Sequence, residues 1–529
     1  MTFTQAFLIF FLIVQLVHFL GTWKLYVKAG RKAWEAAVPI YNAFVLMRII
    51  NRPKEWYWVI LLFIPIVQLI VFPVLWVETI RSFGRTERSE TILVVLTLGL
   101  YIYYVNYMLD VEYVHERSLK PRSAAGEWIA SILFAVVAAT LVHTYVMQPF
   151  VIPTSSLEKT LLVGDFLFVS KIHYGARTPM TSVALPMVHD AIPFTGMKSY
   201  LKEPQLPYFR FPGFQSIERN DIVVFNWPVD TLSVIDNPNS KTLYKPLDKR
   251  SNYVKRCVGL PGDKLEVRDG YVFINGEQNE LPSRAKLQFN YEFVPKGRLL
   301  SNEELIGLYD ITDGVAYKTN AKGEIISQDT LVFSAVTDEA YQRLKNNNAI
   351  GHIKRRSFPK GERDPRVFPQ SKKFDWNTSN YGPIEIPYTG KTVELNMDNI
   401  PLYKRAIGEY EGNNITVEDN QIKIDGKVVT AYTFKQDYYW MMGDNRGNSQ
   451  DARSWGFVPF DHVLGKPTFV WMSWDDNAKG FFNKIRWNRL FTTVGGDGEP
   501  VSYFRYFLIL LAGWFAFSYY RKRKKEKSK

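Results

Sequence analysis

The sequence predicts a membrane-anchored, mainly β protein. It is expected to have about five transmembrane helices and an external antiparallel β-sheet domain that carries an inserted β-rich second subdomain. Three observations predict this fold class. Five segments are apolar over close to the roughly 20 residues that span a bilayer. The polar middle of the chain contains short runs of Val, Ile and Phe bounded by Gly, Pro and Asp, which are typical of strands. A basic tail follows the last apolar segment, as at a cytoplasmic end.

The five apolar segments differ in how well they fit a plain membrane span. The fourth is uninterrupted and rich in Ala, Val and Leu, whereas the second contains Pro65 and Pro73 and is expected to be kinked or re-entrant. The first lacks a basic n-region and a small-residue cleavage site, so we interpret it as a membrane helix rather than a signal peptide. The predicted spans are Phe3–Leu20, Trp56–Val77, Ile92–Leu109, Trp128–Met147 and Tyr503–Tyr520.

Positive charges beside the spans predict their orientation. Basic residues precede the fourth segment, and the basic tail 521–529 follows the fifth, so both flanks are predicted to be cytoplasmic. The region from about 150 to 500 is then external, and alternate crossings give an external N-terminus. The basic loop between Lys24 and Lys54 is inside, as the rule requires, but a second basic loop would lie outside. The residues before the fourth segment are Arg117, Lys120 and Arg122, and those of the disagreeing loop are Arg81, Arg85 and Arg88.

The external region is predicted to be β-rich and to contain two similar ribbons. Residues 265–277 and 415–427 share a pattern of strand, Asp-Gly or Asp-Asn turn, strand and a second Asn-Gly or Asp-Gly turn, which are hairpin signals. The region between them is polar, Pro-rich and aromatic, and we predict that it is inserted. The predicted divisions are the N-terminal membrane region 1–115, the helix 128–148, the external domain in two parts, 149–280 and 413–493, the insertion 281–412, the helix 503–520 and the tail 521–529.

Composition excludes several kinds of site. Cys257 is the single cysteine, so the chain has neither an intramolecular disulfide nor a multi-cysteine metal site. The seven histidines show no His-Glu-x-x-His pattern, which leaves a zinc hydrolase without support. The net charge of +13 owes much to the tail, and nothing in the sequence requires nucleic-acid binding. We therefore expect no metal, no cofactor and no nucleic-acid partner.

Three polar clusters stand in otherwise strand-like surroundings, at residues 153–157, 253–263 and 443–456. The second places Lys255 in an apolar strand, and the first contains Ser156 a few residues beyond an apolar segment. A serine hydroxyl becomes a good nucleophile only when a base removes its proton. Burial lowers the pKa of a lysine, and the neutral amine can be that base. Most lysines in strands face solvent, so the pattern alone leaves both interpretations of Lys255 open.

The three clusters, in this order, resemble the sequence boxes of bacterial type I signal peptidases, which are membrane-anchored Ser–Lys proteases. The resemblance covers about 130–280 and 430–475. It implies a serine endopeptidase that removes N-terminal signal peptides from secreted precursors at the outer face of the bacterial cytoplasmic membrane. The implied partners are secretory precursors, the lipid bilayer and the secretion translocon. Residues 152–157, 160–161 and 164–166 match the nucleophile box, 220–225 and 255–263 the lysine box, and 443–456 the third box.

The resemblance also implies roles for individual residues. Ser156 would be the nucleophile and Lys255 the general base. Thr154 would supply an oxyanion-hole hydroxyl beside the Ser156 backbone N–H, and Ser449 would hydrogen-bond the lysine amine. Cleavage after Ala-x-Ala-like sequences would follow from shallow apolar pockets. The pocket residues would be Ile152, Pro153, Leu157, Leu161 and Val254. Ion pairs around the site would involve Arg256, Asp444, Arg446, Asp451 and Arg453.

The chain departs from the family pattern at four positions, none of which removes a catalytic group. Thr154 stands where serine is common, and Leu157 where methionine is common. Lys159 occupies a usual proline position, and Ala452 a usual serine position. The N-terminal region 1–115 goes beyond the simplest members of the family, and no role is predicted for it.

Two other functions stay open at this point. Ser156 and Lys159 also spell the Ser-x-x-Lys motif of penicillin-binding proteins, although the Ser-Asp-Asn and Lys-Thr-Gly partners of that motif are missing. A membrane assembly or chaperone protein that has the same fold but no activity is the non-enzyme alternative, because fold alone does not establish function.

Overall fold

The computed structural model describes residues 3–121, 123–229, 245–319 and 325–527. Arg122 and the last two residues of the predicted tail, 528–529, lie outside the described residues. The chain forms two compact units. Unit 1 contains the chain up to Thr144 together with Thr178–Pro207, and unit 2 contains Tyr145–Arg177 and the chain from Tyr208 onward.

Unit 1 is helical. Its last helix begins at an N-cap, because the Ser123 hydroxyl accepts a hydrogen bond from the backbone N–H of Gly126. Within the same unit, Ala184 and Tyr200 pack with Ile66. The helices are α1 Phe3–Lys28, α2 Tyr41–Ile49, α3 Glu55–Leu61, α4 Gln68–Ser82, α5 Arg88–Leu96, α6 Tyr101–Tyr107 and α7 Ala124–Leu141.

The prediction of five membrane spans is wrong. In the described ranges two helices are long and apolar enough to cross a membrane, Phe7–Lys28 and Ala124–Val146, and the bent pair α5 and α6 makes a third candidate if it counts as one span. These candidates correspond to the first, fourth and third predicted segments. The second predicted segment, Trp56–Val77, is divided between α3 and α4, which have seven and 15 residues. Both fall short of the roughly 20 residues that a crossing requires.

Backbone geometry explains these interruptions. Pro65 and Ile66, which has a φ of 69°, lie between α3 and α4 and prevent a continuous helix. Helices α5 and α6 are bent by 118° across Leu98 and Gly99, both of which have positive φ. Gly99 also lies against Trp76, whose ring would be 2.8 Å from any Cβ at that position. The chain therefore turns sharply here instead of continuing as a straight span.

Unit 2 is β-rich, and every strand pair within its described sheets is antiparallel, as predicted. The strands are β1 Met147–Val151, β2 Asp165–Ser170, β3 Ile222–Asn226, β4 Asn252–Gly259, β5 Lys264–Arg268, β6 Tyr271–Ile274, β7 Glu277–Gln278, β8 Gln288–Pro295, β9 Val315–Thr319, β10 Ile325–Thr337, β11 Ile350–Arg355, β12 Tyr381–Glu385, β13 Thr392–Glu394, β14 Ile415–Glu418, β15 Gln421–Ile424, β16 Lys427–Val428, β17 Ala431–Thr433, β18 Tyr438–Met442, β19 Val458–Pro459, β20 Val463–Ser473 and β21 Thr492–Thr493. The helices are α8 Asn302–Tyr309, α9 Asp338–Lys345, α10 Ile400–Arg405, α11 Ala452–Trp455, α12 Phe481–Lys484 and α13 Phe504–Lys527.

The central sheet has the order β1-β2-β20-β3-β4-β18-β19, and β21 pairs with β20. Strands β3 and β18 are buried along their whole length, and they flank β4. The second half of β4, Lys255–Gly259, is therefore shielded from water. The smaller sheets have the orders β12-β5-β6-β7, β11-β8-β10-β9, β14-β15-β16 and β13-β17.

The two predicted ribbons are confirmed as β5-β6-β7 and β14-β15-β16. Each of their four turns has positive φ at both central residues, as type I′ hairpin turns require. This geometry explains why only Asp, Asn and Gly occupy these positions. The turn pairs are Asp269–Gly270, Asn275–Gly276, Asp419–Asn420 and Asp425–Gly426.

Helix α13 forms where the fifth span was predicted, but it is not among the candidate spans of the described residues. Arg505 lies in its first turn, and Tyr and Trp residues make its apolar stretch less hydrophobic than a Leu-rich or Val-rich span. The predicted cytoplasmic position of the tail depended on this crossing and loses that support.

The bent pair α5 and α6 can be tested by its topology. We expect cysteines introduced by Ser89→Cys and Ser118→Cys, one on each side of the pair, to face the same side of the membrane. The reason is that basic residues flank both ends, Arg81 and Arg88 before the bend and Arg117 after it. Labelling by an impermeant maleimide in sealed vesicles of both orientations measures this, and labelling in detergent sets the total. The natural Cys257 is fully buried and gives a low background. Labelling from opposite sides would show a broken span instead of a re-entrant pair.

Candidate active site

The turn that carries Ser156 follows β1, an edge strand of the central sheet. Ser155–Leu157 form a short 3-10 turn. Two main-chain hydrogen bonds of 2.9 Å hold the approach to this turn against the sheet, from Ile152 N–H to Asp165 O and from Gly164 N–H to Ile152 O. Within this turn Ser156 is only 7% exposed.

Lys255 reaches the same point from the middle of the sheet. Its Nζ lies 2.5 Å from Ser156 Oγ, and Lys255 is only 3% exposed. In the antiparallel register, Lys255 pairs with Val223 of β3. The ring of Tyr253, two residues earlier on β4, lies 5.5 Å from Nζ. The fold therefore brings together a serine and a lysine from two distant sequence clusters.

The environment of Lys255 favours the neutral amine. Burial lowers its pKa to about 8, because the ammonium form loses its hydration. The carboxylates of Asp451 and Asp444 oppose this and raise the pKa, whereas the Arg453 guanidinium lowers it. Burial is the largest of these effects, so a substantial fraction of the amine is free to accept a proton at mildly alkaline pH.

Two buried ion pairs lie beside the lysine. Arg256 Nε and Nη2 donate to the two carboxylate oxygens of Asp444 at 2.7 and 2.6 Å. Arg453 donates in the same way to Asp451 at 2.9 and 2.8 Å. Burial acts to raise the pKa values of both carboxyl groups, but the charge and hydrogen bonds of the arginines outweigh it and lower them. Both carboxyl groups are therefore ionised near neutral pH.

The third cluster also holds the Ser156 turn directly. The backbone N–H of Asn445 donates to Ser156 O at 3.1 Å, and Thr160 Oγ1 donates to the Asp444 carboxylate at 2.7 Å. Arg446 donates to the backbone carbonyls of Gly443 and Gly270 instead of a carboxylate. Burial lowers the pKa of Arg446 to about 10. No role is predicted from the sequence for Asn445 or Thr160, although both lie within the matched boxes.

Ser449 does not make the predicted hydrogen bond to the lysine amine. Its Oγ is buried and finds no hydrogen-bond partner among the described residues. The hydroxyl lies against Gly443, where a Cβ would be 2.3 Å from Ser449 Oγ and 2.5 Å from Ser156 O. This close approach explains why a glycine precedes Asp444. The predicted hydrogen bond is wrong, because the hydroxyl packs beside the Ser156 turn without bonding to it.

The residues predicted to line substrate pockets divide into two groups. Ile152, Leu157 and Leu161 are at most 3% exposed and belong to one apolar cluster beneath the turn. Val254 is half-buried and packs against that cluster, and Pro153 is exposed. Thr154 is exposed as well, and its side chain makes no capping hydrogen bond to the turn. The pocket and oxyanion roles of these residues stay predictions.

The inserted region contributes contacts that no sequence motif indicates. Gln288 Nε2 donates to Glu158 O at 2.8 Å, and the Asp313 carboxylate accepts from Asn448 Nδ2 at 3.1 Å. No group of three or more His, Cys, Asp or Glu side chains in the described ranges is placed to hold a metal ion. The site therefore consists of a serine, a lysine and a hydrogen-bonded frame of arginines and carboxylates.

The buried ion pairs lead to a stability prediction. Asp444→Asn keeps the shape of the side chain but leaves the Arg256 charge without its partner, so we expect the free energy of unfolding to fall by about 3–5 kcal/mol. Thermal unfolding of the full chain in detergent measures this. As a matched control, Asp398→Asn removes an exposed 2.6 Å ion pair to Lys373 and should cost less than about 1 kcal/mol. Equal losses in the two variants would contradict the importance of burial.

Comparisons with known proteins agree with the resemblance of the three clusters. Residues 34–116 match a family of unknown function, DUF5684, and residues 125–332 and 430–474 match the family described as signal peptidase, peptidase S26. The signal peptidase I of Buchnera aphidicola subsp. Acyrthosiphon pisum is 25% identical over 369 residues, which cover 68% of this chain and 80% of that protein. The signal peptidase I of Rickettsia akari is 23% identical, covering 72% of this chain and 96% of its own, and that of Haemophilus influenzae is 23% identical, covering 71% and 78%. The chain therefore belongs to the signal peptidase I family of S26 serine peptidases.

Proposed function

We propose that this signal peptidase cleaves precursors that carry signal peptides by means of a Ser–Lys dyad, with Ser156 as nucleophile and Lys255 as general base. The observation that carries the proposal is the 2.5 Å separation of Lys255 Nζ and Ser156 Oγ in a buried setting. A lysine is a useful base only when its amine is neutral, and burial supplies that condition.

The proposed reaction has two halves. The neutral Lys255 amine takes the proton from Ser156 Oγ as Oγ attacks the carbonyl carbon of the scissile bond. The tetrahedral oxyanion accepts hydrogen bonds from the Ser156 backbone N–H and the exposed Thr154 hydroxyl. The Lys255 ammonium then gives its proton to the leaving nitrogen, and an acyl-enzyme ester remains. In the second half Lys255 takes a proton from water, which attacks the ester, and the proton returns to Ser156 Oγ.

The surrounding residues support this chemistry without taking part in it. We propose that Arg256, Asp444, Arg446, Asp451 and Arg453 form a frame that keeps the turn and the lysine in register. The apolar cluster beneath the turn, together with Pro153 and Val254, limits the depth of the substrate pockets. Shallow pockets admit only small side chains, which fits Ala-x-Ala-like cleavage sites.

We also propose an arrangement in the membrane. With Phe7–Lys28 and Ala124–Val146 as spans, the apolar segment around Ile66, which packs with Ala184 and Tyr200, enters the bilayer, and the polar loops between the two spans lie on one side, together with the loop that disagreed with five crossings. Its basic residues Arg81, Arg85 and Arg88 then join the other basic residues in the cytoplasm. The β-rich unit lies on the external face of a bacterial cytoplasmic membrane. The lipid bilayer and the secretion translocon are its proposed partners, and no nucleic acid is needed.

The predicted domain divisions are part of the same proposal. Residues 149–280 and 413–493 would form the catalytic domain, and 281–412 would be a subdomain inserted into it. The sheet β11-β8-β10-β9 lies wholly within the inserted range, whereas β12 of that range pairs with β5 of the catalytic domain. The insertion is therefore joined to the catalytic sheet system by hydrogen bonds as well as by the chain.

The Ser-x-x-Lys alternative depends on Lys159 as the base. Lys159 Nζ instead lies 2.8 Å from an Asp310 carboxylate oxygen, in an ion pair to the inserted region. Lys255 is the lysine that meets Ser156 Oγ. The geometry therefore favours the dyad over the penicillin-binding motif.

The dyad is tested by substitution. We expect Ser156→Ala and Lys255→Met to reduce processing of a signal-peptide-bearing precursor in detergent by at least about 10³-fold, since both variants remove a group that acts in every turnover. A matched control is Lys171→Met. Lys171 is also buried, and burial lowers its pKa to about 7, but it makes no contact with Ser156. Processing at the normal rate by either dyad variant would refute the proposal. An unsubstituted chain that is as inactive as both dyad variants would favour the inactive membrane assembly or chaperone alternative.

The pKa of Lys255 predicts the pH dependence. The amine must be neutral to act as a base, so kcat/KM should be low at acidic pH and rise to a plateau with a midpoint at about 8. The rate rises with pH because the neutral fraction of a lysine rises with pH. The lowered pKa of Lys255 moves this rise to a lower pH than for an ordinary lysine. Initial rates from pH 5 to about 10 with a peptide substrate measure this. A midpoint near 10, the ordinary value for lysine, would contradict a buried base.

A further inference from the structure

We propose that the loop 310–314 of the inserted region is a clamp with Asp313 and Asp310 as positioning residues. It positions the segment 155–159, which contains Ser156 and is called the nucleophile turn below. The inference rests on the proposed roles of Ser156 and Lys255. It assigns a task to a region for which the sequence suggested none. Three groups of contacts support it.

The first group centres on the Asp313 carboxylate. It accepts a hydrogen bond from Asn448 Nδ2 at 3.1 Å and longer ones from Asn445 Nδ2 at 3.4 Å and Ser155 Oγ at 3.5 Å. Asn448 Nδ2 also donates to Ser155 Oγ at 3.1 Å, and Asn445 Nδ2 to Ser155 O at 3.2 Å. Ser155 directly precedes the nucleophile Ser156. One carboxylate thus joins the residue before the nucleophile to two asparagines of the third cluster.

The second contact closes the other end of the turn. Lys159 has a φ of 71°, a left-handed conformation that is rare for residues other than glycine and that proline cannot adopt. Its side chain is only 8% exposed, and its Nζ pairs with Asp310 at 2.8 Å. Proline is the usual residue at this position in the family that the chain resembles. The turn therefore closes here by a different geometry, which an ion pair to the inserted region holds in place.

The third group is formed where the inserted sheet begins. Gln288, the first residue of β8, donates from its backbone N–H to Asp444 O at 3.0 Å and from Nε2 to Glu158 O at 2.8 Å. It also forms a parallel bridge with Asn445. The inserted region therefore contacts the site at two places, Gln288 and the loop 310–314. Both ends of the nucleophile turn, Ser155 and Lys159, are bound to it.

A clamp of this kind acts on the orientation of Ser156 Oγ. The proton transfer and the attack on the carbonyl depend on the position of Oγ to within a fraction of an ångström. Asp313 is not among the charged groups that shift the pKa of Lys255, so its removal should leave that pKa unchanged. Loss of the clamp should therefore lower kcat more than it changes KM or the pH midpoint.

The main experiment compares Asp313→Ala with Asp313→Asn in the full chain in detergent. We expect Asp313→Ala to lower kcat by about tenfold, with KM within about twofold and an unchanged pH midpoint. Asp313→Asn should recover most of the activity, because its side-chain oxygen still accepts hydrogen bonds from Asn448 and Ser155. An alanine variant with normal kcat, an asparagine variant as poor as alanine, or a change in KM alone would each overturn the proposal.

A charge exchange tests the other contact. Lys159→Asp and Asp310→Lys should each lower kcat several-fold, and the double variant should restore part of it, since it re-forms an ion pair of opposite polarity. Lys286→Glu with Glu339→Lys is the matched control, because this 3.0 Å ion pair lies in the same inserted region but touches neither end of the nucleophile turn. If the losses of kcat in the two single variants simply add up in the double variant, the coupling between Lys159 and Asp310 is refuted.

The outcome for the clamp is separable from the outcome for the dyad. If Ser156→Ala is inactive while Asp313→Ala is normal, the clamp fails and the dyad stands. If Ser156→Ala keeps its activity, the proposed function fails before the clamp is in question. Thermal unfolding of each variant shows whether a loss of rate reflects a loss of folded protein.

Discussion

The proposed Ser–Lys dyad depends on keeping one lysine amine out of water. A charged ammonium is costly in an apolar interior, so burial lowers the pKa until the neutral amine is accessible. Lys255 reaches this condition because the neighbouring strands β3 and β18 are buried along their whole length. The same position brings Nζ to 2.5 Å from Ser156 Oγ. An edge strand would leave the amine hydrated and charged, so the proposed chemistry requires the wide central sheet.

The charges beside the lysine explain why burial can be tolerated. Asp444 and Asp451 raise the pKa of Lys255, and unpaired carboxylates at these positions would favour the ammonium form. Each carboxylate is instead bound by both donors of its own arginine, Arg256 or Arg453, which partly cancels its field at the amine. The arginines in turn would be costly if buried without partners. Pairing therefore serves the stability of the β-rich unit and the basicity of the lysine at the same time.

Local patterns in the sequence predicted local structure well, and long-range contacts were much harder to predict. The hairpin turns of the two ribbons were confirmed because a type I′ turn is determined by its own few residues. The span Trp56–Val77 failed because a hydropathy average does not detect the break at Pro65 and Ile66. The bond predicted for Ser449 failed because its direction depends on packing against Gly443. The pairing of Ser156 with Lys255, 99 positions apart, could be expected from family resemblance but not from any local pattern.

One departure from the family pattern, Lys159, marks a long-range contact that the matching residues do not indicate. Lys159 replaces a usual proline, and its positive φ is a conformation that proline cannot take. Such a backbone persists only where surrounding contacts hold it, and here the holding contact is Asp310 of the inserted region. Nothing in the sequence around Asp310 marks it as part of a site. At Lys159 the departure from the family pattern therefore coincides with a contact from a distant segment of the chain. The clamp that we propose for the inserted region thus acts at a position where this chain departs from the family pattern.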